Sequence, residues 1–269
     1  MNRQDMEINQ RLWDAWAPHH VASDFYDVAS FRTGRNTLNS IELNGVGDVQ
    51  GKSLLHLQCH FGLDTLSWAR LGAHVTGADF SLPAVEAARS LARELQLPAM
   101  FVYSNLYDLP SNLHDEFDVV FTSSGVLGWL PNIQGWANVI AHFLRSGGVF
   151  FIYEVHPFAL LFDEGRADAE LRLHYPYFHQ EKPLEVSNEL SYAAPEAVAP
   201  ADARYWVHSM SDIIGSLLKA GLVLESFSEY PFLSWAQFAW MEKQADGSWV
   251  LPPGSPEVPF SFSLRAVKP

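Results

Sequence analysis

Cysteine is nearly missing from this chain. Cys59 is the only one in 269 residues, so an internal disulfide is excluded and nothing in the composition points to an oxidising compartment. Basic residues are scarce as well: 17 Lys and Arg stand against 31 Asp and Glu, a formal net charge of −14. The chain therefore lacks the positive excess that supplies most of the affinity for nucleic-acid phosphates and for anionic membrane surfaces. No apolar run approaches the roughly 20 residues needed to cross a bilayer, and the polar start MNRQDMEINQRLWDAW carries no apolar signal core. Internal repeats and low-complexity tracts are absent too. With 48% hydrophobic and 13% aromatic residues, the chain is long enough to bury a substantial core. The expectation is a soluble, cytoplasmic, globular protein, monomeric or homodimeric, whose partner is a small molecule rather than nucleic acid or membrane.

What is present is a rhythm. From residue 52 to 155, short apolar runs alternate with segments of helical period, the pattern of strands joined by crossover helices. The predicted strands are SLLHLQ (53–58), AHVTGAD (73–79), MFVY (100–103), FDVVFT (117–122) and VFFIYEV (149–155). Helices lie between them: Leu63, Leu66 and Ala69 share one face, Val85, Ala88, Ala92 and Leu95 another, and Ser81 is placed to cap the second. After His156 the rhythm stops, and residues 157–207 are rich in Pro, Ala, Tyr and acidic side chains without a clean period. It resumes with a helix around Ile213–Leu218, the strand LVLESF (222–227), a long aromatic connection, and FSFSLRAV (260–267), whose alternation suits a partly exposed edge strand. The fold class is thus α/β, a doubly wound Rossmann-like sheet. The domain plan is an amino-terminal helical arm or lid (1–50), a ligand-binding core (51–156), an insertion serving as substrate cap (157–207), and a carboxyl-terminal completion of the sheet (208–269).

In such a sheet, ligands sit beyond the carboxyl ends of the strands where strand order reverses. The loop after the first strand reads HLQCHFGLD (56–64), and Asp79 ends the second strand. A carboxylate there can accept both hydroxyls of a ribose. The third strand runs into SNLYDLP, where Asn105 is placed to read an adenine edge.

At these residues the chain resembles the class I S-adenosylmethionine-dependent methyltransferases, in particular a bacterial group that spells its glycine loop HLQCHFG. The resemblance covers most of the chain. It implies a seven-stranded, mostly parallel sheet with the last strand antiparallel, an amino-terminal helical lid, and insertions after strands five and six. Gly62 matches the last family glycine, Asp79 the ribose acid and Asn105 the adenine reader, while TSSGVLGWLP (122–131) matches the segment that borders the reactive methyl. The implied cofactor is S-adenosylmethionine, leaving as S-adenosylhomocysteine. Its implied binding set is Gln58, Cys59, His60 and Gly62 in the loop, then Asp79, Phe80, Ser81, Asn105, Leu106 and Ser123, with Tyr26 from the arm. Gln58 and His60 depart from the family pattern, placing side chains where glycine normally lets backbone approach a ligand. Cys59 also reads as a small packing residue.

The implied reaction is methyl transfer to a small-molecule O, N, S or C nucleophile, which chiefly needs alignment and a dry site. Candidate general bases are His156 and Glu154 at the end of strand five and His19 in the arm. Trp129, Tyr175 and Tyr177 are candidate substrate-pocket residues, and Trp13, Trp16, His19, His20 and Tyr26 candidate lid residues. The adjacent pair His19 and His20 diverges on a helix and is not read as a metal site. Other readings stay open: non-methyl chemistry on the same cofactor, such as cyclisation, or a non-catalytic binding domain. A nicotinamide-dependent reductase is disfavoured by the missing GxGxxG after the first strand and the missing YxxxK pair.

Overall fold

A computed structural model describes residues 3–162 and 170–269. In chain order the elements are α1 (Arg3–Ala22), α2 (Val28–Arg32), α3 (Ser40–Val46), β1 (Ser53–Leu57), α4 (Leu63–Arg70), β2 (His74–Asp79), α5 (Leu82–Glu94), β3 (Ala99–Tyr103), α6 (Leu109–Asn112) and β4 (Phe117–Thr122). They continue as α7 (Ile133–Phe143), β5 (Leu144–Val155), β6 (Leu184–Glu189), β7 (Ala201–Tyr205), α8 (Met210–Lys219), β8 (Val223–Tyr230), β9 (Glu242–Lys243), β10 (Trp249–Val250) and β11 (Ser261–Val267).

Seven strands form one sheet in the order β3-β2-β1-β4-β5-β11-β8. The first five are parallel, and β11 runs antiparallel to both of its neighbours. Strand order reverses between β1 and β4, and that is where the ligand crevice of an open α/β sheet lies. The central strands are apolar on both faces: Leu54 and Leu55 are both fully buried, as expected where helices cover each side. One face packs Leu55, Val120, Phe150 and Ile152 against Trp136, Ile140 and Phe143 of α7 and Ile213 and Leu217 of α8. The opposite face packs Leu54, Val119, Phe121 and Phe151 against Val46 of α3 and Trp68 of α4.

The last strand corrects the sequence expectation. β11 lies inside the sheet, between β5 and β8, and β8 takes the edge. Its serines, which read as the solvent side of an alternating strand, are buried against tyrosine hydroxyls: Tyr153 Oη donates to Ser261 Oγ at 3.1 Å, and Tyr230 Oη and Ser263 Oγ lie 2.9 Å apart. The insertion, which shows no period in the sequence, contains the antiparallel pair β6–β7.

The amino-terminal segment is helical and closely packed. Trp16, Ala17 and Phe31 are buried. Asn9 on α1 meets the edge of β7 with both ends of its amide, donating to Arg204 O at 2.8 Å and accepting from Arg204 N at 2.9 Å. This joins the arm to the insertion hairpin, and Leu12, Trp16 and Ala203 fill the seam.

α3 sits so close to β5 that a Cβ on Gly45 would overlap the buried ring of Phe151. Gly45→Ala is therefore expected to destabilise the fold by about 1–3 kcal/mol through overpacking, in spite of the better helix propensity of alanine. Chemical denaturation checks this, and an unchanged or raised midpoint would show that the approach is looser.

Candidate functional site

The site grows from the end of β2. Asp79 is buried, and its carboxylate accepts the His60 N–H at 2.8 Å and the Ser81 N–H at 2.9 Å. The first bond holds the loop after β1. The second helps to start α5, which Ser81 then caps by accepting from Ala84 N at 3.4 Å. Within the loop, Gln58 and His60 both adopt left-handed backbone angles, φ 57° and φ 51°. These are conformations normally left to glycine, and each costs about 1–2 kcal/mol for a side-chain-bearing residue. The loop thus keeps a glycine-type path without the glycines. Gly62 keeps its glycine for a visible reason: its φ is 80°, and a Cβ there would meet the ring of Phe101 at 2.7 Å.

Side chains in the loop face different ways. Cys59 points inward and is buried among Phe61 and Phe101; burial pushes its thiol well above the usual range. Gln58 Nε2 donates to Val126 O at 3.2 Å, tying the loop to the segment after β4. His60 turns toward the arm, with Nε2 at 2.9 Å from His20 Nδ1, and its ring lies 5.3 Å from that of Trp13 and 5.6 Å from that of Tyr26. Tyr26 shares a hydroxyl–hydroxyl bond with Tyr192 of the insertion. Trp129 packs against the same group, its ring 5.2 Å from Trp13 and 4.4 Å from Tyr205. Arm, glycine loop, insertion and the segment after β4 therefore meet in one packed aromatic cluster.

The purine-side candidates sit beside it. Phe80 O accepts from Gln10 Nε2 at 2.8 Å, and the same amide donates to Tyr103 Oη at 2.9 Å, so α1 crosses the ends of β2 and β3. Asn105 uses its Oδ1 to accept Tyr107 N at 3.0 Å, while Leu106 is buried in the core. Ser123 Oγ lies 3.0 Å from His56 Nε2.

The candidate bases are held by contacts of their own. Glu154 accepts backbone N–H groups from Gly125 at 2.5 Å, Val126 at 2.8 Å, Leu127 at 3.2 Å and Val155 at 2.6 Å, so it clamps the segment after β4. His156 accepts Phe158 N on Nδ1 at 3.0 Å and places Nε2 at 2.9 Å from Glu229 Oε1, facing β8 and β11. His19 lies on the solvent face of α1; its neighbour His20 is the residue turned inward, because adjacent helical positions diverge. Tyr177 Oη accepts from Met210 N at 3.2 Å at the start of α8, and Tyr175 N donates to Leu161 O at 3.0 Å.

Sequence reasoning passed over several members. His56 bridges Thr65 and Ser123 from inside β1, and its signal was a lone polar residue in an apolar strand. Ser191 and Tyr192 lie in a segment without period and left no signal at all. Several buried polar atoms near this edge have no partner among the described residues: Asp14 Oδ1, Gln58 Oε1, His60 Nδ1 and Ser124 Oγ. Unsatisfied buried groups are uncommon in folded proteins, and two acceptors and an imidazole nitrogen suit a polar ligand.

Residues 55–150 match the family described as a methyltransferase domain. Among curated proteins, the chain is 29% identical over 136 residues to a ubiquinone biosynthesis O-methyltransferase from Photorhabdus laumondii subsp. laumondii, covering 49% of this chain and 56% of that protein. It is 29% identical over 140 residues to a protein of the same name from Aeromonas salmonicida, covering 51% and 58%. The chain thus spans just over half the length of these relatives. Among solved structures, an S-adenosylmethionine-dependent methyltransferase from Mesorhizobium loti superposes with a TM-score of 0.60 at 15% identity, covering 88% of this chain and all of that one. The DhpI–SAH complex superposes with a TM-score of 0.58 at 16% identity, covering 100% of both chains.

Burial raises Asp79 to about 6, Glu154 to about 7 and Glu42 on α3 to about 8, the last helped by repulsion from Asp64. Each folded-state value lies above its unfolded one, so between the two the folded protein binds more protons than the unfolded chain. The buried histidines act the other way below about 6.5, because burial lowers His20 to about 4, His56 to about 3 and His208 to about 4. Stability is therefore expected to fall as pH rises from about 6.5 to about 8, and the upper part of that fall belongs chiefly to Glu42. Glu42→Gln is expected to flatten that upper part and to stabilise the protein by about 1–3 kcal/mol at pH 8. Denaturation at pH 5, 7 and 8 checks it, and a variant that keeps the full slope would place the titration elsewhere.

Proposed function

We propose that this chain, a class I S-adenosylmethionine-dependent methyltransferase fold whose residues 55–150 match the methyltransferase domain family, transfers a methyl group from S-adenosylmethionine to a small molecule. The single observation that carries the reading is the loop after β1: Asp79 holds it in a left-handed path at the reversal of strand order, and buried polar atoms without partners line it. Asp79 would hold the ribose, Asn105 and the backbone beside Phe80 the purine, and Gln58, His60 and Asp14 the amino-acid tail. These donors and acceptors fit that cofactor's chemistry. When bound, S-adenosylmethionine supplies a methyl group activated on a sulfonium.

What the chain itself contributes is alignment and the exclusion of water. Trp13, Trp16, Tyr26, Trp129 and Tyr192 enclose the site with rings from three separate segments. Glu154 fixes Gly125, Val126 and Leu127 by their N–H groups, so the segment bordering the acceptor cannot drift. The matched relatives are named O-methyltransferases, which supports a hydroxyl oxygen as the first acceptor to try. The net charge of −14 supports a neutral or cationic acceptor over a polyanion. The lone cysteine is in keeping with a reducing, cytoplasmic setting.

Calorimetry with S-adenosylmethionine tests the cofactor, and release of S-adenosylhomocysteine across a panel of hydroxyl- and amine-bearing metabolites tests the reaction. Asp79→Ala is expected to weaken cofactor binding by about 2 kcal/mol, roughly thirtyfold, the scale of a lost hydrogen bond to a charged group. A folded variant with unchanged affinity would remove Asp79 from the site.

A further inference from the structure

Gln58 and His60 hold strained left-handed angles where glycine would be free of cost, and each carries a buried polar atom without a partner, Gln58 Oε1 and His60 Nδ1. The hydrogen-bond chain behind His60 decides what its orphan nitrogen presents. Ser191, in the loop between β6 and β7, accepts the Ala194 N–H on Oγ at 3.1 Å and lies 2.9 Å from His20 Nε2. Among the described residues, His20 Nε2 is the one acceptor in reach of the Ser191 hydroxyl proton. The hydroxyl therefore donates to Nε2, which leaves the proton of a neutral His20 on Nδ1. That Nδ1–H donates across 2.9 Å to His60 Nε2, so a neutral His60 carries its own proton on Nδ1. Burial favours the neutral form of both rings, lowering His20 to about 4 and His60 also well below the usual range.

We infer that His60 Nδ1–H is a preset hydrogen-bond donor for the carboxylate of the cofactor's amino-acid tail, and that the insertion sets it, through Ser191 and His20. The inference rests on the cofactor reading above. Within that cofactor, the ribose and purine are met by Asp79 and Asn105, and a sulfonium accepts no hydrogen bond. The tail carboxylate is the strong acceptor that remains, and donors to charged acceptors make the stronger bonds. The ammonium that accompanies it is matched by two orphan acceptors, Gln58 Oε1 and Asp14 Oδ1. A residue of the insertion thereby helps to hold the cofactor without touching it, and Ser191 and His20 are positioning residues.

Two probes separate this from general damage to the loop. S-adenosylhomocysteine carries the tail, and 5′-methylthioadenosine has the same nucleoside and thioether without it. Three variants are compared by calorimetry, with melting curves to confirm folding. His60→Gly relieves the backbone strain while removing the donor, His60→Asn tolerates the left-handed angle and keeps an N–H near the Nδ1 position, and Ser191→Ala cuts the relay from a distance. The expected result is that His60→Gly weakens S-adenosylhomocysteine binding about tenfold or more, Ser191→Ala weakens it about threefold, and His60→Asn retains most of it. Affinity for 5′-methylthioadenosine should be unchanged in all three. Equal weakening of both probes, or unchanged S-adenosylhomocysteine affinity in His60→Gly, overturns the inference. Failure of the unaltered protein to bind either probe overturns the cofactor reading itself.

Discussion

The bond from the His60 N–H to the Asp79 carboxylate is the constraint on which the carboxyl edge of the sheet depends. A loop with two side-chain-bearing residues at left-handed angles stores about 2–4 kcal/mol of backbone strain. A buried carboxylate gripping one of those amides is a force able to hold it there, since hydrogen bonds to charged groups are the stronger kind. The same carboxylate meets Ser81 N at the start of α5, so one side chain sets both the loop after β1 and the helix after β2. Burial disfavours its ionised form, and the two N–H donors oppose that tendency.

Closure follows from a second arrangement. The arm and the insertion are far apart in sequence, yet Asn9 pairs with the backbone of Arg204 in both directions, and Trp13, Trp16, Trp129 and Tyr192 interlock edge to face. Aromatic pairs of this kind add about 0.5–1.5 kcal/mol each beyond burial. The cover over the glycine loop is therefore one composite wall, contributed by α1, the segment after β4 and the β6–β7 hairpin. Packed rings and the hydrogen-bonded chain from Ser191 through His20 to His60 join the parts of that wall.

The alternating core was legible because the parallel strands are buried on both faces and spell continuous apolar runs, as in SLLHL and FDVVFT. Asp79 and Ser81 were legible because a strand end followed by a cap has a fixed spelling. The position of β11 was not, since a serine satisfied by a tyrosine hydroxyl and a serine facing water leave the same alternation in the sequence. His19 and His20 were both legible as arm candidates, and only the helix phase, fixed by Leu12 and Trp16 on the buried side, tells which of them turns inward. Ser191 and Tyr192 reach the aromatic cluster by long-range packing of a segment without period, so no local pattern could carry them. The glycine loop was legible as a place but not as a conformation: that Gln58 and His60 would keep glycine-type angles depends on Asp79, nineteen residues beyond His60.

The most direct measurement of that dependence is hydrogen exchange at the His60 and Ser81 amides, with and without S-adenosylhomocysteine. A loop pinned by Asp79 and completed by a cofactor should show both amides protected in the free protein and slowed further on adding the ligand. Fast exchange at His60 in the free protein, together with no response to S-adenosylhomocysteine, would contradict both the pinning and the site.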